Sequence, residues 1–170
     1  MSSASPSILD RGRYLAFFDE MMTSTESLFR MVPPDTLGWK PTEKSFTVGQ
    51  MIAHIAEALD VYSNGLTKAA WGFSSMRERF VKNRHQMSLT VEEALALLRT
   101  NAGEFRKRIE SMSATDLAEG EVFSPQYDGP APRWRIAMLA LEHHLNHKAE
   151  LFMYLKLLGV QVNTKHLYRG

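Results

Sequence analysis

The chain has 170 residues, 44% hydrophobic and 23% charged, with a formal net charge of +1 and no cysteine. That length suits one compact domain over residues 1–170, large enough to bury a core without staples, while the missing cysteines exclude disulfides, thiolate metal sites and a cysteine nucleophile. The near-neutral charge lacks the pull that non-specific nucleic-acid binding needs, and no apolar run of about 18 residues is present to cross a membrane. The opening residues have neither the charged start nor the apolar centre of a signal peptide, so a cytoplasmic location is expected.

Apolar periodicity divides the sequence into four long helices. The first runs from about Ile8 to Met31, with Tyr14, Leu15, Phe18, Met21, Met22, Leu28 and Phe29 at helical spacing. Val32-Pro33-Pro34 ends it, because proline offers no amide hydrogen and disfavours helical geometry just before itself. Thr47-Val48-Gly49-Gln50 has the form of a capping box and opens the second helix, which runs to about Gly65 or Thr67. A second capping box, Thr90 to Glu93, opens the third, whose stripe is Val91, Leu95, Leu98, Ala102, Phe105, Ile109 and Met112. After a linker rich in glycine and proline, the fourth spans about Arg133 to Leu158 and stops at Gly159. No strand-like run is evident, and Val160 to Gly170 reads as a tail that packs loosely or frays. The fold class is all-α, a four-helix bundle. Lys68 to Ser88 is long for a tight antiparallel turn, so a crossover is expected there, with the second and third helices parallel.

Six histidines are present. His143 and His147, four apart, lie one turn above each other on one helix face. Ile136, Ala140, Tyr154 and Leu158 extend that stripe, so the pair faces the core. His54 shares a stripe with Met51, Ala58 and Tyr62 and faces inward as well. With the second and fourth helices antiparallel, at ~1.5 Å per residue, all three imidazoles fall some 15 to 20 Å from the same end of the bundle. Three neutral imidazoles buried together would leave polar nitrogens seeking partners, and a divalent metal ion resolves that. Three histidine ligands leave a position for water or substrate, as in catalytic rather than closed structural sites. Glu150 follows His147 by about a turn and Glu57 follows His54 likewise; either could orient a histidine, act as a base or complete the shell. His144 is turned by about 100° from His143, toward a neighbouring helix or a subunit surface. His85 and His166 fall in presumed linker and tail, where a solvated role is expected.

The stretch Leu37-Gly38-Trp39-Lys40-Pro41, followed by Phe46-Thr47-Val48-Gly49-Gln50-Met51-Ile52-Ala53-His54-Ile55, resembles the entry to the second helix in the DinB-like (damage-inducible) superfamily of metal-binding four-helix proteins. A late helix reading His143-His144-Leu145-Asn146-His147-Lys148-Ala149-Glu150-Leu151 and ending Leu158-Gly159 resembles its other signature. The likeness covers nearly the whole chain, in order and spacing. It implies the crossover bundle, a metal held by His54, His143 and His147, and a homodimer. Some members use low-molecular-weight thiols, as S-transferases or as a maleylpyruvate isomerase. Ala149 and Glu150 stand where glycine and glutamine are common, which adds a carboxylate beside the site.

Three other surfaces draw notice. Met76 to His85 holds Arg77, Arg79, Lys82 and Arg84 against Glu78 alone; it could hold an anionic substrate or a thiol's carboxylates, but a solvated crossover face is the favoured reading. The Gly120 to Pro132 linker, with Tyr127 and Trp134, could form a lid, though a passive linker is preferred. Met138, Leu141, Phe152 and Leu155 lie away from the histidine stripe, so the fourth helix is apolar on more than one side and a homodimer through it is expected. The expected function is a divalent-metal-dependent enzyme, a thiol S-transferase or hydrolase acting on a small electrophile. His54, His143 and His147 would be its ligands, with Glu150 or Glu57 as acid–base or orienting group. The ion could be zinc, nickel or iron, and a low-molecular-weight thiol a second cofactor. The alternative is a non-enzymatic dimeric stress or interaction protein whose histidines bind metal for stability or not at all.

Overall fold

The computed structural model describes residues 10–83 and 87–170. Helix α1 spans Arg11–Arg30, α2 Val48–Lys68, α3 Met76–Asn83, α4 Val91–Ser111, α5 Ala114–Glu119, α6 Arg133–Leu157 and α7 Thr164–Tyr168. Strands β1 (Glu121–Ser124) and β2 (Gly129–Pro132) form an antiparallel hairpin between α5 and α6. The four long helices are α1, α2, α4 and α6, as the periodicity predicts. Both capping boxes form: Thr47 accepts from the Gln50 amide while Gln50 caps Thr47, and Thr90 and Glu93 do the same for α4. Each pair satisfies two of the amide hydrogens that a helix start leaves unbonded.

The directions of the helices follow from their cross-links. Leu89 N–H donates to the Gly49 carbonyl at 3.2 Å, Asn101 to Ala56 at 2.9 Å and Arg108 to Thr67 at 2.9 Å. Residue numbers rise together along this seam, so α2 and α4 run parallel, and the crossover through residues 69–90 is the one expected. Helix α6 runs against α2, since Arg133 near its start bonds the Leu66 carbonyl near the end of α2. Helix α1 runs against α4, with Arg99 on Glu26 and Arg106 on Asp19. The Phe18 and Phe105 rings stack in that interface at 5.2 Å, both essentially inaccessible. Burial of side chains of this size, at about 1.5–3 kcal/mol each, is what holds the bundle together.

Three expectations need correction. The linker after α4 contains a hairpin, which its pattern does not announce because Gly129-Pro130-Ala131-Pro132 has neither β-branched residues nor clean alternation. The tail does not fray: α7 packs on α1, with Val160, Val162 and Leu167 against the core. The second apolar side of α6 is covered by this chain itself. Leu141, Phe152 and Leu155 are buried and Met138 is partly so, because α6 packs on α1 as well as α2. That side therefore supplies no reason for a second subunit.

Two backbone positions carry testable consequences. A Cβ on Gly65 would lie 2.6 Å from the Trp71 indole, which packs flat against α2 and donates its N–H to the Phe123 carbonyl at 2.7 Å. Gly65→Ala is expected to lower stability by about 1–2 kcal/mol, read as a lower urea midpoint with unchanged slope. Ala69 ends α2 in the left-handed conformation, at φ 54°. Ala69→Gly is expected to raise stability by about 0.5–1 kcal/mol in the same measurement, because only glycine adopts that geometry freely.

Candidate metal centre

The first turn of α2 is fixed from outside. Val48 N–H bonds the Trp39 carbonyl and Gly49 N–H the Leu37 carbonyl, both at 2.9 Å. The Trp39 ring meets Tyr154 of α6 edge-on at 5.7 Å, so the segment before α2 ties the two histidine-bearing helices together. Phe46 then closes over His54 at 5.2 Å between ring centroids. The Leu37–Pro41 motif and Phe46 are thus the scaffold of the site.

His54, His143 and His147 converge. Ring centroids are 5.0 Å apart for His54 and His143, 4.6 Å for His54 and His147, and 4.5 Å for His143 and His147. Each offers a ligand atom within 4.8 Å of the others'. His54 is buried at 2% exposure and the other two partly so. Burial first, then the neighbouring imidazoles, pushes the His143 pKa down to about 2, so its ring is neutral at ordinary pH. Its Nδ1 is buried with no hydrogen-bond partner among the described residues. Three converging imidazoles with an orphaned buried nitrogen on His143 suit a cation bound through nitrogen lone pairs. The donor set fits a divalent metal ion.

The carboxylates separate in position. Glu150 Oε2 lies 2.6 Å from His147 Nδ1, which leaves His147 Nε2 for the shared centre. Glu57 is partly buried on α2 and interacts electrostatically with Arg79. Neither carboxylate joins the group of ligand atoms within 4.8 Å among the described residues. His144 faces away, toward α1: its Nε2 lies 2.8 Å from Thr25 Oγ1, and the Thr25 hydroxyl already donates to the Met21 carbonyl. His144 must therefore donate from Nε2, so the helix-facing alternative is the observed one. His166 is partly buried in α7 and its Nδ1 accepts from the Asn163 amide as a cap, while His85 and Arg84 lie outside the described residues.

The polar composition around Arg79 predicts a solvated face for it. The structure turns it toward the site: Arg79, Tyr62, Phe73 and Gln126 line, with the three histidines, a cavity of about 1140 Å³. Arg77, on the other side of α3, is exposed. A helix inside the crossover was the missing signal, since Phe73 and Arg79 meet only once α3 forms. Tyr62 sits 5.4 Å from the His143 ring, and burial raises its pKa to about 12. The hairpin contributes Gln126 to the cavity, whereas Tyr127 and Trp134 are exposed.

A crossover bundle with a histidine trio between α2 and α6 defines a class of protein. The DinB superfamily profile matches residues 18–151, and the chain belongs to that superfamily. The uncharacterized protein YjoA of Bacillus subtilis is 25% identical over 137 residues, which cover 79% of this chain and 82% of YjoA. The crystal structure of that DinB-like protein superposes with a TM-score of 0.65 at 18% identity, covering 86% of this chain and 92% of the other. A candidate member of the DinB family from Exiguobacterium sibiricum gives a TM-score of 0.67 at 16% identity, covering 92% and 96% of the two chains. These likenesses bear on the fold.

Proposed function

We propose that His54, His143 and His147 hold a divalent metal ion, and that this centre serves a reaction of a small electrophile, a thiol-dependent S-transfer or a hydrolysis. The meeting of three imidazoles within 4.8 Å, beside an open cavity, is the observation that carries the reading. A divalent ion bound there would act as a Lewis acid and lower the pKa of a coordinated water or thiol. The protein's own part is positional. Glu150 holds His147 by its Nδ1 and fixes the ring's direction, as outer-shell carboxylates do. Tyr62 lines the cavity and keeps its phenolic proton as a donor at neutral pH, while Glu57, outside that lining, acts electrostatically on Arg79. Phe46, Phe73 and Val61 supply apolar wall to the cavity. Among the described residues no helix is long and apolar enough to cross a membrane.

The reading extends to a homodimer. Its support is the exposed apolar pair Met153 and Leu157 on α6, at 50% and 62% exposure. Sedimentation at micromolar concentration is expected to give twice the mass of one chain, and a lone 19.3 kDa species contradicts it.

The enzyme assignment is tested by offering metal-loaded and chelator-stripped protein a panel of epoxides, activated halides and esters, each with and without thiols. Turnover that depends on the metal supports it. A stripped protein that melts lower, with no turnover of any pair by the loaded form, favours the non-enzymatic alternative.

A further inference from the structure

The crossover places one guanidinium where a molecule in the cavity meets it. Arg79 is partly buried on α3, with its guanidinium carbon 5.4 Å from the Phe73 ring centroid. It lines the same cavity as the histidine trio and is close enough to Tyr62 and His143 to act on both electrostatically. Lys40, also on the cavity wall, is ion-paired with Glu43 at 2.8 Å. No such pair joins Arg79 to a carboxylate among the described residues; Glu57 acts on it from farther away. Burial weakens the hold of Arg79 on its proton, the sign of a charge partly stripped of water. A planar fork held against an aromatic face presents its edge to a carboxylate in two-point contact. Val61, Phe73 and Met76 add apolar surface to the same cavity.

We propose that Arg79 is a carboxylate-binding subsite, so that the molecule occupying the cavity presents its reactive end to the His54–His143–His147 cluster and one carboxylate to the guanidinium. This rests on the reading of the trio as a metal centre. A carboxylate is favoured over a phosphate because the flat fork of the partly buried guanidinium matches one planar anion, whereas a phosphate dianion calls for further donors; Lys44, also on the cavity wall, is exposed and hydrated.

The test uses cobalt-loaded protein and two probes, 3-mercaptopropionate and its amide. Their thiolates are read through the visible absorption of a cobalt–sulfur bond. Wild type is expected to bind the acid about tenfold more tightly than the amide. Arg79→Gln is expected to erase that preference and leave the amide's affinity unchanged, with Arg79→Lys between the two; helix content by circular dichroism verifies that each variant is folded. Equal affinity for acid and amide in wild type, or an intact preference in Arg79→Gln, overturns the subsite while leaving the metal centre standing. If wild type takes up no cobalt, the metal reading fails by itself. The subsite is then read from the side-chain N–H resonance of Arg79 in metal-free protein: movement with the acid and none with the amide supports it, and movement with neither overturns it.

Discussion

His147→Ala is expected to reduce bound divalent metal from about one ion per chain to a trace after gel filtration, measured by elemental analysis. The alanine removes one of three nitrogens that meet within 4.8 Å, and no described carboxylate belongs to that group to replace it. The two imidazoles left behind also lose the geometry that three helix-borne ligands share. Two companions make the result specific. Glu150→Gln keeps the three nitrogens but weakens the partner at His147 Nδ1, so affinity should fall by about 10–100-fold without loss of stoichiometry at saturating metal. His144→Ala removes an adjacent histidine that faces α1, and metal content should be unchanged. Equal metal in wild type and His147→Ala would sink the assignment.

The second large effect lies on the opposite side of α6. Lys148 is 4% exposed between α1 and α6, and its ammonium donates to Ser24 Oγ at 2.8 Å. Among the described residues no carboxylate pairs with it; burial pushes its pKa down to about 8. A buried cation with one hydrogen bond has lost more hydration than its contacts return. Lys148→Met keeps the length and flexibility of the side chain and removes the charge. Ser24 still donates to the Met21 carbonyl, so no donor is orphaned. The substitution is expected to raise stability by about 2–3 kcal/mol at neutral pH, seen as a higher urea midpoint. An unchanged or lower midpoint would show that the ammonium has a partner or a packing role that methionine cannot fill.

Much of this was legible in the sequence because helices announce themselves through period, caps and breakers. Thr47 with Gln50 and Thr90 with Glu93 each name a helix start, and both boxes form as written. The length between Lys68 and Ser88 was enough to set α2 and α4 parallel. His54, His143 and His147 could be brought together from wheel angle and axial rise alone, since a straight helix fixes both to within a few ångströms. What the helical wheel could not supply was the partner on each face. The apolar side of α6 bearing Leu141 and Leu155 suggested a second subunit, because a wheel shows that a face is covered but not by what; α1 covers it. Arg79 was hidden for a related reason. Its segment is polar in composition, and only the short α3 aims one of its arginines at the cavity while Arg77 stays in solvent. The hairpin carries too little β-propensity in four residues per strand to register.

The central claim is that one cation is held jointly by α2 and α6. Crystals grown with a divalent transition metal and measured on either side of its absorption edge address it directly. The account predicts one strong anomalous peak per chain, bonded to nitrogens of His54, His143 and His147. A peak elsewhere on the chain, or none with the metal at millimolar concentration, contradicts it.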